Sequence, residues 1–319
     1  MAENEMNKRF DLICVGMALL DSIIKGFDPQ PISASGYRAA SGTLNVGGEA
    51  VNEAVTGAKL GLKTGIVCAL GADEAGEMVR NTLRRSGVDV SRIVRGESTP
   101  VTTMFVHADG TRKSITNEAH RFNFHPENDP AAFTDASALI LGSLFRAPFD
   151  DPAIIHAVLK AAKEAGQIVL ADTKLPNFRF LKLDDLRDSL PLIDYLTPNE
   201  DEARYFTGKT EPEDMADALL SWGVKHAVIK LGAKGCLMKT KEKTVTLPAY
   251  AIHAVDATGA GDNFAAGFVS ELLRGKPAEE ALSFANACGA LCATAVGAGT
   301  ALQSRDQVLR FMADTPFMR

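Results

Sequence analysis

Short apolar runs alternate along most of the chain with longer stretches whose apolar positions recur at helical spacing. The runs Phe10–Val15, Thr64–Leu70, Ala138–Leu141, Gln167–Ala171, Ile193–Leu196 and Ala227–Leu231 are largely apolar, as strands are when both faces are covered. Helical spacing appears at Glu49–Leu60, Glu74–Ser86, Pro152–Ala165 and Asn199–Phe206. This rhythm predicts an α/β fold, a mainly parallel sheet with helices on both faces. Towards the C-terminus the rhythm gives way to two Ala-rich helices, Gly261–Arg274 and Pro277–Ala293.

Two stretches, Leu19–Leu44 and Pro100–Thr116, alternate polar and apolar residues with no helical period. The second reads as a hairpin, Val101–His107 and Lys113–Thr116 about the turn Asp109-Gly110. Together they predict a small β-sheet lid, from segments about 19–44 and 100–120, on a single domain spanning 1–319. Ordinary surface hairpins are the plainer alternative. There is no internal repeat, low-complexity tract or long linker.

Composition narrows the partners. With 46% hydrophobic and 23% charged residues, the 319-residue chain can bury a sizeable core. A formal charge of -6 argues against a nucleic-acid partner, which calls for a basic face. No run approaches the roughly 18 apolar residues of a membrane span, and Met1–Arg9 is polar, so a cytoplasmic protein without membrane partners is expected. The five cysteines (Cys14, Cys68, Cys236, Cys288, Cys292) mostly sit in apolar runs and read as buried thiols. Cys288 and Cys292 can share a helix face, but no His or acid stands beside them at zinc spacing. Metal-hydroxide hydrolysis has no support, because the histidines are scattered and form no H-E-x-x-H pattern.

Three glycine- or acid-bearing helix starts carry the candidate chemistry. In Asp256-Ala257-Thr258-Gly259-Ala260-Gly261-Asp262, small residues let a backbone approach a ligand where a helix begins. Amide N–H groups and the helix dipole make such a start an anion site. Asp262 there suits accepting a proton from a hydroxyl that attacks phosphorus, or it is an N-cap. Gly47-Gly48-Glu49-Ala50-Val51-Asn52 opens another helix, with Asn52 able to bond hydroxyls; alone, a glycine pair is usually a turn. Thr197-Pro198-Asn199-Glu200-Asp201-Glu202 follows a strand end. Asn199 and Glu202 could hold a hydrated magnesium ion, or simply cap the helix with acids that complement its dipole.

In this order the three motifs resemble the ribokinase-like (PfkB) family of carbohydrate kinases, from about Phe10 to Gln303. The resemblance implies a three-layer ribokinase-like sandwich with a β-sheet lid, and transfer of a phosphoryl group from ATP to a sugar. By that resemblance Asp262 matches the catalytic base, and Gly259, Ala260 and Gly261 the anion hole. Asn199 and Glu202 match the motif that positions magnesium and phosphate through water. Asp21, Gly47, Gly48 and Asn52 match the sugar pocket. Lys230, Gly232 and Gly235 look like the strand and turn bordering the nucleotide, and Asn286 a residue near adenine. Asp256 and Thr258, with carbonyls around Ala295 and Gly297, resemble a monovalent-cation loop, so potassium is expected beside ATP and Mg2+. A homodimer through the lid is implied too.

The sequence also departs from the pattern. Members that phosphorylate ribose tend to carry a basic residue after the glycine pair and an acid after the mid-chain strand; here Glu49 and Phe145 stand there. Gly142-Ser143-Leu144 and Asp172-Thr173-Lys174 are closer to fructokinase-like and ketodeoxygluconate kinase-like members. Arg112 and Arg121 could meet an acidic sugar, or be exposed loop arginines. Val15-Gly16-Met17-Ala18 lacks a dinucleotide fingerprint, and Gly71–Gly76 is followed by Glu77 where a P-loop needs lysine. A nucleoside kinase of the same family and a catalytically silent sugar-binding regulator are the competing functions.

Overall fold

A computed structural model describes residues 8–26, 39–106, 112–117, 124–177 and 179–318. The strands are β1 (Phe10–Val15), β2 (Leu19–Lys25), β3 (Ser41–Gly47), β4 (Thr64–Val67), β5 (Ala69–Leu70), β6 (Val94–Arg95) and β7 (Val101–Val106) in the first third. β8 (Arg112–Thr116), β9 (Ala136–Leu144), β10 (Ile168–Thr173), β11 (Tyr195–Leu196), β12 (His226–Lys230), β13 (Cys236–Lys239) and β14 (Thr244–Leu247) follow. The helices are α1 (Glu49–Lys59), α2 (Glu74–Arg85), α3 (Pro152–Glu164), α4 (Glu200–Thr207), α5 (Pro212–Ser221), α6 (Ala260–Leu272), α7 (Ala278–Cys292) and α8 (Arg305–Asp314).

Eight strands form the main sheet in the order β14-β13-β12-β11-β10-β9-β1-β4. From β4 to β12 all neighbours run parallel, and β13 and β14 complete one edge as antiparallel strands. Alternation along β1 shows how three layers arise. Ile13 and Val15 join the core shared with α3, α4 and α5, while Leu12 and Cys14 face α1, α2, α6 and α7. Burial on both faces explains why the run is continuously apolar. Among the described residues no helix is long and apolar enough to cross a membrane.

The two alternating stretches pair into a separate sheet ordered β3-β2-β7-β8. Its centre is a parallel pair, β2 with β7, flanked by antiparallel β3 and β8. The turn Asp109-Gly110 and Arg121 lie outside the described residues.

Some boundaries differ from the hydrophobic pattern. Thr64–Leu70 is not one strand: β4 stays in the main sheet, then Cys68 accepts from the Val94 amide at 2.8 Å and β5 pairs with β6. Ile193–Leu196 shortens to β11, since Leu190–Leu192 is a single 3-10 turn containing Pro191.

Candidate active site

The parallel strands end at one edge of the sheet, where open α/β sheets place their ligands. A cavity of about 890 Å3 lies there, between this edge, the start of α6 and the lid sheet. The lid contributes Asp21 and Asn45, and the strand ends contribute Arg146, Lys174, Asn199 and Lys230. β9 and β10 are fixed by their neighbours over several paired residues and β11 over two on each side, so loops of unrelated sequence are held against one another.

Asp262 stands in the first turn of α6, 5% exposed, and lines this cavity together with Asp21 and Asn52. It is not the N-cap. Gly259 is, with φ of 77°, where an added Cβ would stand 2.1 Å from the Ala298 Cβ. Asn263 fastens this start: its side-chain amide donates to the carbonyls of Gly259 and Ala298, both at 2.9 Å. The Ala260 amide donates to the Ala257 carbonyl at 3.1 Å, so of the expected anion-hole amides that one is already engaged. The next amides, those of Gly261 and Asp262, have no acceptor within the helix, as first-turn geometry dictates.

Asn52 on α1 donates to the Asp262 carboxylate at 2.6 Å across 210 residues of sequence. Burial raises the Asp262 carboxyl to about 6; Glu49 and Asp172 add to the rise, and Lys174 and the Asn52 hydrogen bond oppose it. The group is therefore ionised at neutral pH, but a better proton acceptor than a free aspartate.

Lys230, at the end of β12, donates to the buried Asp172 at 2.6 Å, and Thr197 donates to the same oxygen at 2.8 Å. A Cβ at Gly261 would lie 3.0 Å from the Lys230 ammonium. The glycine thus lets a cation sit at the positive end of a helix, an arrangement that favours an anion between them.

Glu202 and Asn199 form a capping box at the start of α4, each accepting from the other's backbone amide at 2.9 Å. Thr173 also donates to the Glu202 Oε2 at 2.8 Å. The plain capping role is thus real, yet both residues line the cavity. Burial, with help from Asp172, raises the Glu202 carboxyl although Lys230, the Asn199 amide and Lys174 oppose it.

On the lid side, Gly48 adopts φ of 101°, and a Cβ there would fall 2.4 Å from the Met17 carbonyl. That close crossing sets the chain from β3 into α1. Burial, reinforced by Glu49, raises the Asp21 carboxyl to about 6. Glu49 accepts from Ser143 at 2.5 Å and pairs with Lys174 at 3.3 Å. Burial opposes the charges of Glu49 and Lys174, and it takes their pairing together with Ser143 for Glu49 and further carboxylates for Lys174 to outweigh it. Ser143 and Phe145 have φ of 66° and 77°, a strained region for non-glycine residues. The end of β9 is thus twisted so that Ser143 reaches Glu49 while Phe145 stacks on Phe206 at 4.1 Å.

The expected cation loop is drawn together by Asp256, which accepts from Thr258 at 2.7 Å and from the Gly297 amide at 3.1 Å. Gly232 borders the cavity near Lys230. Three expected positions do not line it. Gly235 turns β12 into β13, Asn286 donates to the Pro248 carbonyl at 2.8 Å, and Ala295 precedes Val296 and Gly297, which do line it. The sequence reading gave no role to Glu53, fully buried beside Asp262 and Asp172. An acid within the apolar run Ala50–Val55 was the available signal.

The model of the pfkB family carbohydrate kinases matches residues 11–305. The chain belongs to the pfkB family of carbohydrate kinases. This makes it a phosphotransferase with an alcohol group as acceptor. Ribokinase of Arabidopsis thaliana is 32% identical over 322 residues, covering 94% of this chain and 80% of that protein. Fructokinase-1 of Oryza sativa subsp. japonica is 30% identical, covering 94% and 97%. The solved Arabidopsis thaliana ribokinase, complexed with ribose and ATP, superposes with a TM-score of 0.82 at 30% identity, covering 95% of this chain and 98% of that one. The three-layer ribokinase-like sandwich is the fold of this pfkB carbohydrate kinase.

Proposed function

We propose that this ATP-dependent sugar kinase transfers the γ-phosphoryl group to a primary hydroxyl of a small carbohydrate, fructose-, ketodeoxygluconate- or ribose-like, with Asp262 as the base. The observation that carries the reading is the Asp262 carboxylate at an open helix start, in one cavity with Asp21 and Asn52. The substrate hydroxyl gives its proton to Asp262 while its oxygen forms a bond to the γ-phosphorus. The bond to the β-phosphate oxygen breaks, and ADP leaves with that electron pair. The Gly261 amide and Lys230 stabilise negative charge on the migrating group, worth several kcal/mol at about 10²–10³-fold per donor. Asp21, Gly47, Gly48 and Asn52 hold the sugar, and Asn199 and Gly232 border the nucleotide phosphates.

Hard oxygen donors at Asn199 and Glu202, with one carboxylate oxygen already engaged in the cap, fit a magnesium ion held through water. Magnesium supplies charge neutralisation on the phosphates when bound. The oxygen-rich loop of Asp256, Thr258 and Gly297 fits potassium, whose effect would be to steady the α6 start. A homodimer through the lid sheet completes the reading, and a monomeric mass in solution would refute that part.

A second reading, a nucleoside kinase, draws on Leu19, Ile23 and Met104, which line the lid side of the cavity near Asp21. Among relatives, aminoimidazole riboside kinase of Salmonella typhimurium is 32% identical over 283 residues. Against it, no Phe, Tyr or Trp lines the cavity among the described residues. A silent regulator would have no use for a proton acceptor at this place. The deciding experiment is coupled ADP release with a panel of sugars, sugar acids and nucleosides. Turnover confined to nucleosides would overturn the sugar reading, and binding without turnover would favour the regulator.

A further inference from the structure

Behind Asp262, beneath the residues that line the cavity, lies a carboxyl group that the reaction as described does not use. Glu53 lies on α1, one residue after Asn52, with no solvent exposure. Among the described residues, neither of its carboxyl oxygens has a hydrogen-bond partner. One oxygen each from Glu53, Asp172 and Asp262 lie within 4.8 Å of one another, all three residues buried.

The titratable groups facing Glu53 come from five elements around it, while β9 presents only Gly142 to it. Asp262 belongs to α6, Asp172 to β10, Glu49 to the preceding turn of α1, Lys230 to β12 and Cys14 to β1. Only one of these is a cation, and its ammonium is committed to Asp172 at 2.6 Å. Asp262 has its own donor in Asn52. Glu53 has none. Burial pushes its carboxyl well above the usual range, with Asp262, Asp172 and Glu49 adding and Lys230 opposing.

Three ionised carboxylates at this spacing would each displace a neighbour's titration by about 2.5 pH units, taking an effective dielectric near 20. Something must remove one charge. A divalent cation among the three would lie against the Lys230 ammonium and occupy the oxygen lone pair with which Asp262 accepts a proton. A proton meets neither objection. We infer that Glu53 is the neutral member of this buried trio, and that its proton spares Asp262 a further negative neighbour beside Asp172 and Glu49 and so keeps the base ionised. Glu53 is then a positioning residue acting through Asp262, which rests on reading Asp262 as the base.

The test compares Glu53→Gln, a neutral isostere, with the parent enzyme. In kcat against pH, with the sugar saturating so that Asp21 does not enter, the acid limb near 6 set by Asp262 stays in place in the variant. A downward displacement of about 2.5 units would show that Glu53 had been ionised and repelling, and would overturn the inference. Infrared difference spectra at about pH 8 show a neutral carboxylic acid carbonyl in the parent that Glu53→Gln lacks, where ordinary carboxyls are ionised. Loss of carboxylate bands instead would also overturn it. So would calorimetric binding of magnesium chloride alone that Glu53→Gln abolishes.

Should Glu53→Gln fail to fold, the parent enzyme alone carries the spectroscopic test, because a neutral Glu53 must give it a neutral-acid band at about pH 8. Its absence there overturns the inference. Full turnover by Asp262→Asn would sink the base assignment separately, whatever the band shows.

Discussion

Replacing Asp262 by asparagine should make the protein slower and more stable at once, and the two effects have one cause. The native carboxyl titrates at about 6 and the ordinary one at 3.8. Between those values the native state retains a proton that the unfolded chain has released. Stability therefore falls as pH rises through that window and is level above it. The difference of about two units corresponds to a cost of about 3 kcal/mol at about pH 8, and roughly half that at about pH 5. Asparagine cannot ionise, and its carbonyl can still accept from Asn52. The variant should thus show a higher urea midpoint, with a gain at about pH 8 near twice that at about pH 5. Turnover in the coupled ADP assay should fall about 10²–10⁴-fold through loss of the proton acceptor, with KM for ATP little changed. Unchanged kcat would refute the base assignment. An equal stability gain at both pH values would refute the burial argument.

Other substitutions separate the remaining roles. Asp21→Asn should raise KM for the sugar far more than it lowers kcat; in the parent, KM should rise as pH falls through about 6, where Asp21 becomes neutral. Lys230→Ala leaves Asp172, 1% exposed, without its ammonium partner, and should cost about 3–5 kcal/mol in urea unfolding while raising KM for ATP. An unshifted midpoint would show that Thr197 alone satisfies Asp172. Arg305 on α8 grips the buried Glu271 with two hydrogen bonds at 2.8 Å, far from the cavity. Arg305→Ala should lose less stability than Lys230→Ala, because Arg274 stays 3.9 Å from the Glu271 carboxylate, with kcat per folded molecule retained in the ADP assay.

What the sequence makes legible follows from how local each signal is. β1 announces itself because burial on both faces leaves it continuously apolar, and α6 because small residues and an acid precede a helical run. The edge strand β14 escapes notice: Thr244–Leu247 is half exposed, alternating and short, so its pattern matches a loop. α5 carried a readable sign in Glu211-Pro212, a proline at the first helical turn. At the site, the loop Asp256–Asp262 is legible because its chemistry is contiguous. The Glu49–Lys174 pair and the trio around Glu53 are not, since each joins residues from distant elements that only the folded sheet brings together. Glu49 reads as a departure from the ribose-kinase pattern, and Glu53 is given no role. Their charge has meaning only beside the partner.

The crossing at Gly48 joins two halves of the cavity that otherwise belong to separate sheets. Upstream, β3 pairs residue by residue with the strand carrying Asp21; downstream, α1 begins within a turn of the asparagine that holds Asp262. On the proposed reading, a sugar that seats badly on the lid would disturb, through this short tether, the carboxylate that is to receive its proton. Discrimination among sugars would then show itself as lost turnover by molecules that still bind, so that a mis-seated compound behaves as an inhibitor and ATP is conserved.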